Sequence, residues 1–211
     1  MIPSKNEWMS ALEIRHGKDL QQKLSCSTVA VCGLGGLGSN IAVSLARAGV
    51  GKLILIDYDR VDITNLHRQQ YKAAQIGLFK TDALADNLSE ISPYIEIETV
   101  TTKITEDNLS SLLGDADVIC EAFDDAEAKA MLVNEALEKL PDCYLVAASG
   151  MAGLETPNTI HTRRVMKRFY ICGDEKSDVA EAIGLVAPRV MLCAAHQAQT
   201  VLRILAEKYE V

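Results

Sequence analysis

No stretch of this 211-residue chain approaches the roughly 20 apolar residues that span a bilayer, which argues against a membrane protein. The opening residues, Met1-Ile2-Pro3-Ser4-Lys5-Asn6-Glu7, lack the apolar centre of a secretory signal, so a cytoplasmic location is the expectation. Basic excess is missing as well. Lys and Arg number 21 against 29 Asp and Glu, for a formal net charge of -8. Bulk nucleic-acid binding needs cations against phosphate, so no nucleic-acid partner is expected, although a local basic pocket remains compatible with that balance. The six cysteines (Cys26, Cys32, Cys120, Cys143, Cys172 and Cys193) include no Cys-x-x-Cys pair, and with no zinc-ribbon signature no zinc is expected. Repeats, low-complexity tracts and linkers are also absent, which favours one domain over residues 1–211, with 1–25 as an N-terminal helical arm.

Short apolar strands alternating with amphipathic helices make up most of the chain. Strands are predicted over 28–32, 52–57, 95–100, 118–122 and 143–148. Helices are predicted over 7–24, where Trp8, Leu12, Ile14, Leu20 and Leu24 mark the apolar face and Gly17 is a break, and over 39–48, stopped by Gly49. Further helices are expected at 81–92, 106–113, 126–140 and 188–208. This alternation predicts an α/β, Rossmann-like, mostly parallel sheet with helices on both faces. Residues 159–163 and 168–172 break the rhythm and read as a short antiparallel C-terminal part.

Between the first strand and first sheet-covering helix stands Gly33-x-Gly35-x-x-Gly38. The first glycine permits a tight turn, the second admits a phosphate close to the backbone, and the third lets helix pack on strand. Free N–H groups at the helix start then face an anion. Asp57, closing the second strand, stands where an acid bonds a ribose hydroxyl. The motif implies a nucleotide without saying which one.

The next loop favours a polyphosphate over a dinucleotide. Asp59, Asn65, Arg68 and Gln69 follow Asp57, and Gly77-Leu78-Phe79-Lys80 opens a helix. Hydride transfer has no use for Arg68 and Lys80. Phosphoryl or nucleotidyl transfer does, because charge builds on phosphate oxygens and positioned cations stabilise it. Arg68 can clamp two oxygens, while Lys80 acts as a point charge. After the fourth strand, Asp124 is a candidate magnesium ligand beside a triphosphate. Asp125 is a candidate N-cap for the helix that follows.

Taken together, Gly33-Leu34-Gly35-Gly36-Leu37-Gly38, Asp57-x-Asp59, Asn65-Leu66-x-Arg68-Gln69, Gly77-x-x-Lys80 and Asp124 resemble the ThiF/MoeB family, bacterial relatives of ubiquitin-activating enzymes. The likeness runs from about Arg15 to the final helix and is greatest to the short form of ThiF. It implies that ATP and Mg2+ are used to adenylate the C-terminal carboxylate of a small ubiquitin-like sulfur carrier ending in Gly-Gly, with thiamine synthesis the favoured pathway. By matching positions, Gly35, Gly36 and Gly38 would line the phosphates, and Asp57 would hold the ribose. Asn65, Arg68 and Lys80 would contact phosphate, with Gln69 behind them, and Asp124 would hold magnesium. The resemblance also implies a homodimer in which an N-terminal arginine, here Arg15, reaches the other subunit's ATP.

This chain departs from the family's Asp-x-x-Asp-Asn-x-x-x-Arg, reading Glu121-x-x-Asp124-Asp125-x-x-x-Lys129. Asp125 adds a negative charge beside the expected metal. The cysteine by which some relatives link covalently to the carrier would fall near Ala180, and this chain has none there. Cys172, in a polar stretch before Gly173-Asp174, is the candidate substitute and candidate exposed thiol, whereas Cys32, Cys120 and Cys143 read as buried. His16, His67, His161 and His196 show no ligand spacing. The segment 184–190 is open to two readings, the far wall of a channel for the carrier's tail or ordinary core. Two other functions compete: a nicotinamide-dependent oxidoreductase, and a non-catalytic nucleotide-binding scaffold, for which Asp125 is the best support.

Overall fold

The computed structural model describes residues 2–180 and 183–211. Seven strands form one sheet: β1 (Thr28–Cys32), β2 (Lys52–Ile56), β3 (Glu96–Val100), β4 (Val118–Glu121), β5 (Tyr144–Ala148), β6 (His161–Met166) and β7 (Phe169–Gly173). Their order across the sheet is β3-β2-β1-β4-β5-β7-β6. All pairings are parallel except β6 with β7, so the antiparallel part is a single edge hairpin, and β7 continues the parallel sheet beside β5. The chain's direction across the sheet reverses between β1 and β4, and such a switch point opens a crevice at the strands' carboxyl ends.

The strands are apolar on both faces because helices cover both. Val29, Val31, Leu53, Leu55, Val118 and Cys120 face one core with helices α3 (Gly36–Ala48), α4 (Lys80–Ile91) and α7 (Ala187–Leu205). Ala30, Cys32, Ile54, Ile56 and Ile119 face the other, with α5 (Leu109–Leu113) and α6 (Ala126–Lys139). At the β3 edge the pattern turns polar: Lys52 lies 3.4 Å from Glu96 and 2.9 Å from Glu98. Charges of this kind discourage edge-to-edge pairing.

The N-terminal helix is two helices, α1 (Lys5–His16) and α2 (Lys18–Ser25), parted at Gly17 with φ +84°. Ser4 and Glu7 form a capping box on α1. Ile14 is 81% exposed rather than on the inner face, since two residues after Leu12 in one continuous helix turn it to the opposite side. The buried Gln21 ties this arm down by donating to the Gly49 carbonyl at 3.0 Å. Helix α3 starts at Gly36, earlier than apolar periodicity alone suggests, because the glycine turn itself supplies the first helical turn. Gly49 closes it in the left-handed conformation.

Gly38 has no room for a side chain. A Cβ there would lie 1.8 Å from the Gly33 carbonyl oxygen and 3.1 Å from Val31 Cγ1. Because the obstacle is backbone, Gly38→Ala is expected to cost about 3 kcal/mol, the upper end for overpacking. Urea unfolding checks this: the midpoint falls with an unchanged m-value.

Candidate functional site

A cleft of about 530 Å3 opens at the carboxyl ends of the central strands. Its floor is the glycine turn. Gly33 has φ +89°, and a Cβ there would come within 2.8 Å of the Ala122 carbonyl, so the turn passes directly under the end of β4. Gly35 and Gly36 line the cleft, while Gly38 packs α3 against the turn beneath it. The helix presents its N-terminal N–H groups upward, with no side-chain cap at Gly35.

Asp57 sits at the next strand end, buried. Its Oδ2 accepts from Leu34 N–H at 2.7 Å and its Oδ1 from Asp59 N–H at 2.8 Å. Two backbone donors thus orient the carboxylate, which retains lone pairs for a ligand hydroxyl. Lys80 is 6% exposed, with Nζ 2.7 Å from Asp59 and 3.7 Å from Asp57. A backbone bond from Lys80 N–H to Asp59 O joins these two loops.

Asn65 and Arg68 lie on the wall above the glycines. The Arg68 stem packs over Gly36, whose added Cβ would lie 3.5 Å from Cγ and Cδ. Nη1 of Arg68 donates to Thr64 O at 3.3 Å, but its buried Nε has no partner among the described residues. Gln69 lines the cleft rather than standing behind Arg68, and its buried Oε1 also lacks a partner. Leaving buried polar atoms unpaired costs free energy, so Arg68 Nε and Gln69 Oε1 keep hydrogen-bonding capacity at the cleft wall. An unpaired guanidinium N–H above helix-start N–H groups fits a polyphosphate.

The β4–α6 turn carries Asp124, which is exposed, lines the cleft and makes no hydrogen bond among the described residues. Asp125 caps α6, accepting from Ala128 N–H at 2.8 Å. Two of the three departures from the family pattern, Glu121 and Lys129, are one ion pair. Lys129 Nζ lies 2.9 Å from each carboxylate oxygen of Glu121, which is 1% exposed. Glu121 Oε1 also accepts from Phe123 N–H at 2.7 Å. Burial pushes the Glu121 carboxyl above its usual range, against the opposing pull of Lys129 and the Phe123 N–H. Among the described residues, no three His, Cys, Asp or Glu side chains gather into a metal cage. A magnesium at Asp124 would therefore draw its remaining ligands from phosphate and water, its ordinary habit at nucleotide sites.

The far wall comes from the loops around Met151, Ser177, Leu185 and Val190. Segment 184–190 divides: Leu185 and Val190 line the cleft, whereas Arg189 is buried structure. Its guanidinium donates to the carbonyls of Ala152, Glu155 and Thr156, to Thr159 Oγ1, and to Asp174 Oδ2 at 2.5 Å. Burial alone would raise the Asp174 carboxyl. The N–H groups of Ser177 and Lys176, the Ser177 hydroxyl and Arg189 outweigh it and hold the pKa at about 2. A depressed carboxyl stabilises the fold above its unfolded value and loses that contribution as pH falls through the folded one. Asp174 should thus contribute about 2 kcal/mol that disappears between about pH 4 and about pH 2. Unfolding free energies across that window test this: the wild-type slope should exceed that of Asp174→Asn.

Arg15 is exposed on the last turn of α1 and does not line its own chain's cleft. Cys172 is a correction. It is fully buried on β7, within 3.5 Å of Thr162 Oγ1, because strand pairing carries the polar sequence around it into the sheet. Cys143 is only half-buried. Among the described residues no cysteine lines the cleft. Burial raises the thiols of Cys32, Cys120 and Cys172, and pushes Cys193 up to about 12. A thiol-reagent titration of the native protein should show one fast group, Cys26, then a slow Cys143, with the buried four reacting only after denaturation.

Thr102, Lys103 and Ile104, beyond β3, also line the cleft without having been singled out from sequence. No local motif marks them; only the position of β3 beside β2 brings them in.

Comparison with known proteins places this geometry. The family model described as "ThiF family" matches residues 10–211. The molybdopterin-synthase adenylyltransferase of Haemophilus influenzae is 30% identical over 194 residues, covering 88% of this chain and 77% of that one. The adenylyltransferase and sulfurtransferase MOCS3 of Culex quinquefasciatus is 39% identical over 147 residues, 68% of this chain but 32% of that protein, so the chain spans about a third of that relative. In fold, the E. coli tRNA N6-threonylcarbamoyladenosine dehydratase TcdA, solved in complex with ATP, superposes with a TM-score of 0.87 at 21% identity, covering 99% of this chain and 98% of that one. With an extended family match and a relative of that identity and coverage, the chain belongs to the ThiF family.

Proposed function

We propose that this protein is an ATP-dependent adenylyltransferase that activates the C-terminal carboxylate of a small Gly-Gly-ended, ubiquitin-like sulfur carrier, as a homodimer. The observation that carries this reading is the convergence of Arg68, Lys80, Asp57 and Asp124 on one cleft over the glycine turn, with Arg68 Nε and Gln69 Oε1 unpaired there. A hydride-transfer site would leave these charges without work.

In this mechanism the helix-start N–H groups and Asn65 seat the phosphates, and Asp57 accepts from the ribose hydroxyls. Magnesium, when bound at Asp124, supplies charge neutralisation on the polyphosphate. The carrier's carboxylate attacks the α-phosphorus, the bond to the bridging oxygen breaks, and pyrophosphate leaves with that electron pair. A chain-terminal carboxyl is already ionised near pH 7, so no general base is required. Arg68 donates to the oxygens that gain charge, and Lys80 turns from Asp59 toward them. Arg15 would serve the cleft of the partner subunit.

With no cysteine in the cleft among the described residues, the acyl-adenylate is not captured by this chain and passes to a sulfur nucleophile from another molecule. The short-form resemblance favours a carrier of thiamine synthesis. Mass spectrometry of carriers incubated with enzyme and ATP tests the reading: the matching carrier should gain one adenylyl group at its C-terminal carboxylate, and no carrier–enzyme thioester should form. Adenylylation of none, with ATP bound, would contradict it.

Asp125, the departure that favoured a non-catalytic scaffold, caps α6 by accepting from Ala128 N–H, which gives the residue a role in the fold.

A further inference from the structure

The Glu121–Lys129 pair makes a demand on the site that neither residue makes alone. Glu121 ends β4 on the face covered by α6, beneath the turn that carries Asp124. Three bonds fix that turn. Gln197 Nε2 donates to the Glu121 carbonyl at 3.0 Å, Phe123 N–H donates to the Glu121 carboxylate, and Ala128 N–H donates to Asp125. Asp124 stands between the last two, its own carboxylate free. Lys129 lines the same cleft, one turn into α6, with its side chain 26% exposed. Its ammonium is held below the rim by both oxygens of Glu121.

Without Glu121's charge, Lys129 keeps a long, flexible stem, and of the acids that line the cleft Asp124 and Asp125 stand at the start of its own helix, the others being Asp57, Asp59 and Asp178. Paired with Asp124 or Asp125, the ammonium would stand beside the carboxylate that a divalent cation needs. We propose that Glu121 is a positioning residue that sequesters Lys129, so that Asp124 stays free to take a metal–nucleotide complex. This inference rests on the adenylyltransferase reading, since it presumes that Asp124 meets a nucleotide-bound metal.

The test separates metal from nucleotide. Manganese affinity is read by electron paramagnetic resonance with saturating α,β-methylene ATP, and analogue affinity without metal is measured separately. Glu121→Gln keeps an acceptor for Phe123 N–H but frees Lys129. It should weaken manganese binding about tenfold, as expected for one cation brought beside the site, and bind the metal-free analogue no less tightly than wild type. Adding Lys129→Met should restore wild-type manganese affinity.

A purely structural pair gives a different pattern: metal and analogue affinities fall together, in step with thermal stability, and the double variant is no better than the single. That result, or unchanged manganese affinity in Glu121→Gln, overturns the proposal. If Glu121→Gln fails to fold, Glu121→Asp serves, drawing the carboxylate back by one methylene. It should weaken manganese binding, and the longer base in Glu121→Asp/Lys129→Arg should restore it; failure of either expectation also overturns the proposal. A wild-type protein that binds no analogue at all would instead defeat the adenylyltransferase reading, and this inference with it.

Discussion

Asp124→Asn is expected to lower the adenylation rate by about 1,000-fold, the upper range for removing one electrostatic stabiliser, while metal-free ATP binding persists. The substitution is isosteric. Asp124 is exposed and makes no hydrogen bond among the described residues, so folding stability should not change. That separation is the diagnostic point. A carboxylate held in an otherwise pinned turn, with Phe123 N–H bonded on one side and Asp125 capping α6 on the other, is fixed in place without being spent on the fold. Single-turnover kinetics across a magnesium series check the expectation. Wild-type turnover in the variant would remove Asp124 from the mechanism.

Arg68→Ala is expected to lower kcat by about 100-fold and to raise the KM for ATP much less. The asymmetry follows from where charge appears. Arg68 donates to oxygens whose negative charge grows as pyrophosphate departs, so its contact strengthens on the way to the transition state. Nη1 is engaged with Thr64 O and the His67 ring, while Nε has no partner among the described residues, so the guanidinium is only partly used by the protein's own bonds. Arg68→Lys should recover only part of the rate, because an ammonium is a point charge without the planar fork. An equal rise in KM with kcat untouched would make Arg68 a ground-state binder only.

Much of this site was legible from the sequence because local chemistry repeats at fixed spacing. Gly33 and Gly38 are required by backbone collisions that any side chain would cause, while Gly36 makes room for the Val190 and Arg68 side chains, and such requirements leave glycines in the sequence. Asp57 and Asp124 follow buried strands whose apolar runs are plain. Asp125 was legible as a helix cap for the same local reason.

What was not legible depends on pairing at long range. The polar surroundings of Cys172 suggested exposure, but β7 lies between β5 and β6 and takes that thiol inside. Glu121 and Lys129 looked like two separate departures from a pattern. Only the fold shows them as a matched acid and base. Arg189 carried no motif at all, yet its bonds fix the loops of the far wall. Gln69 lines the cleft on a turn where its N–H donates to the Asn65 carbonyl, a placement that no spacing rule supplies.

The central claim is that this cleft makes an acyl-adenylate from ATP and a protein C-terminus. ATP–pyrophosphate exchange measures that step directly, run with and without purified Gly-Gly-ended carriers and with Asp124→Asn alongside. The account predicts exchange that requires a carrier with a free C-terminal carboxylate and vanishes in the variant. Exchange absent with every carrier while ATP binds, or equal in the variant, would contradict it.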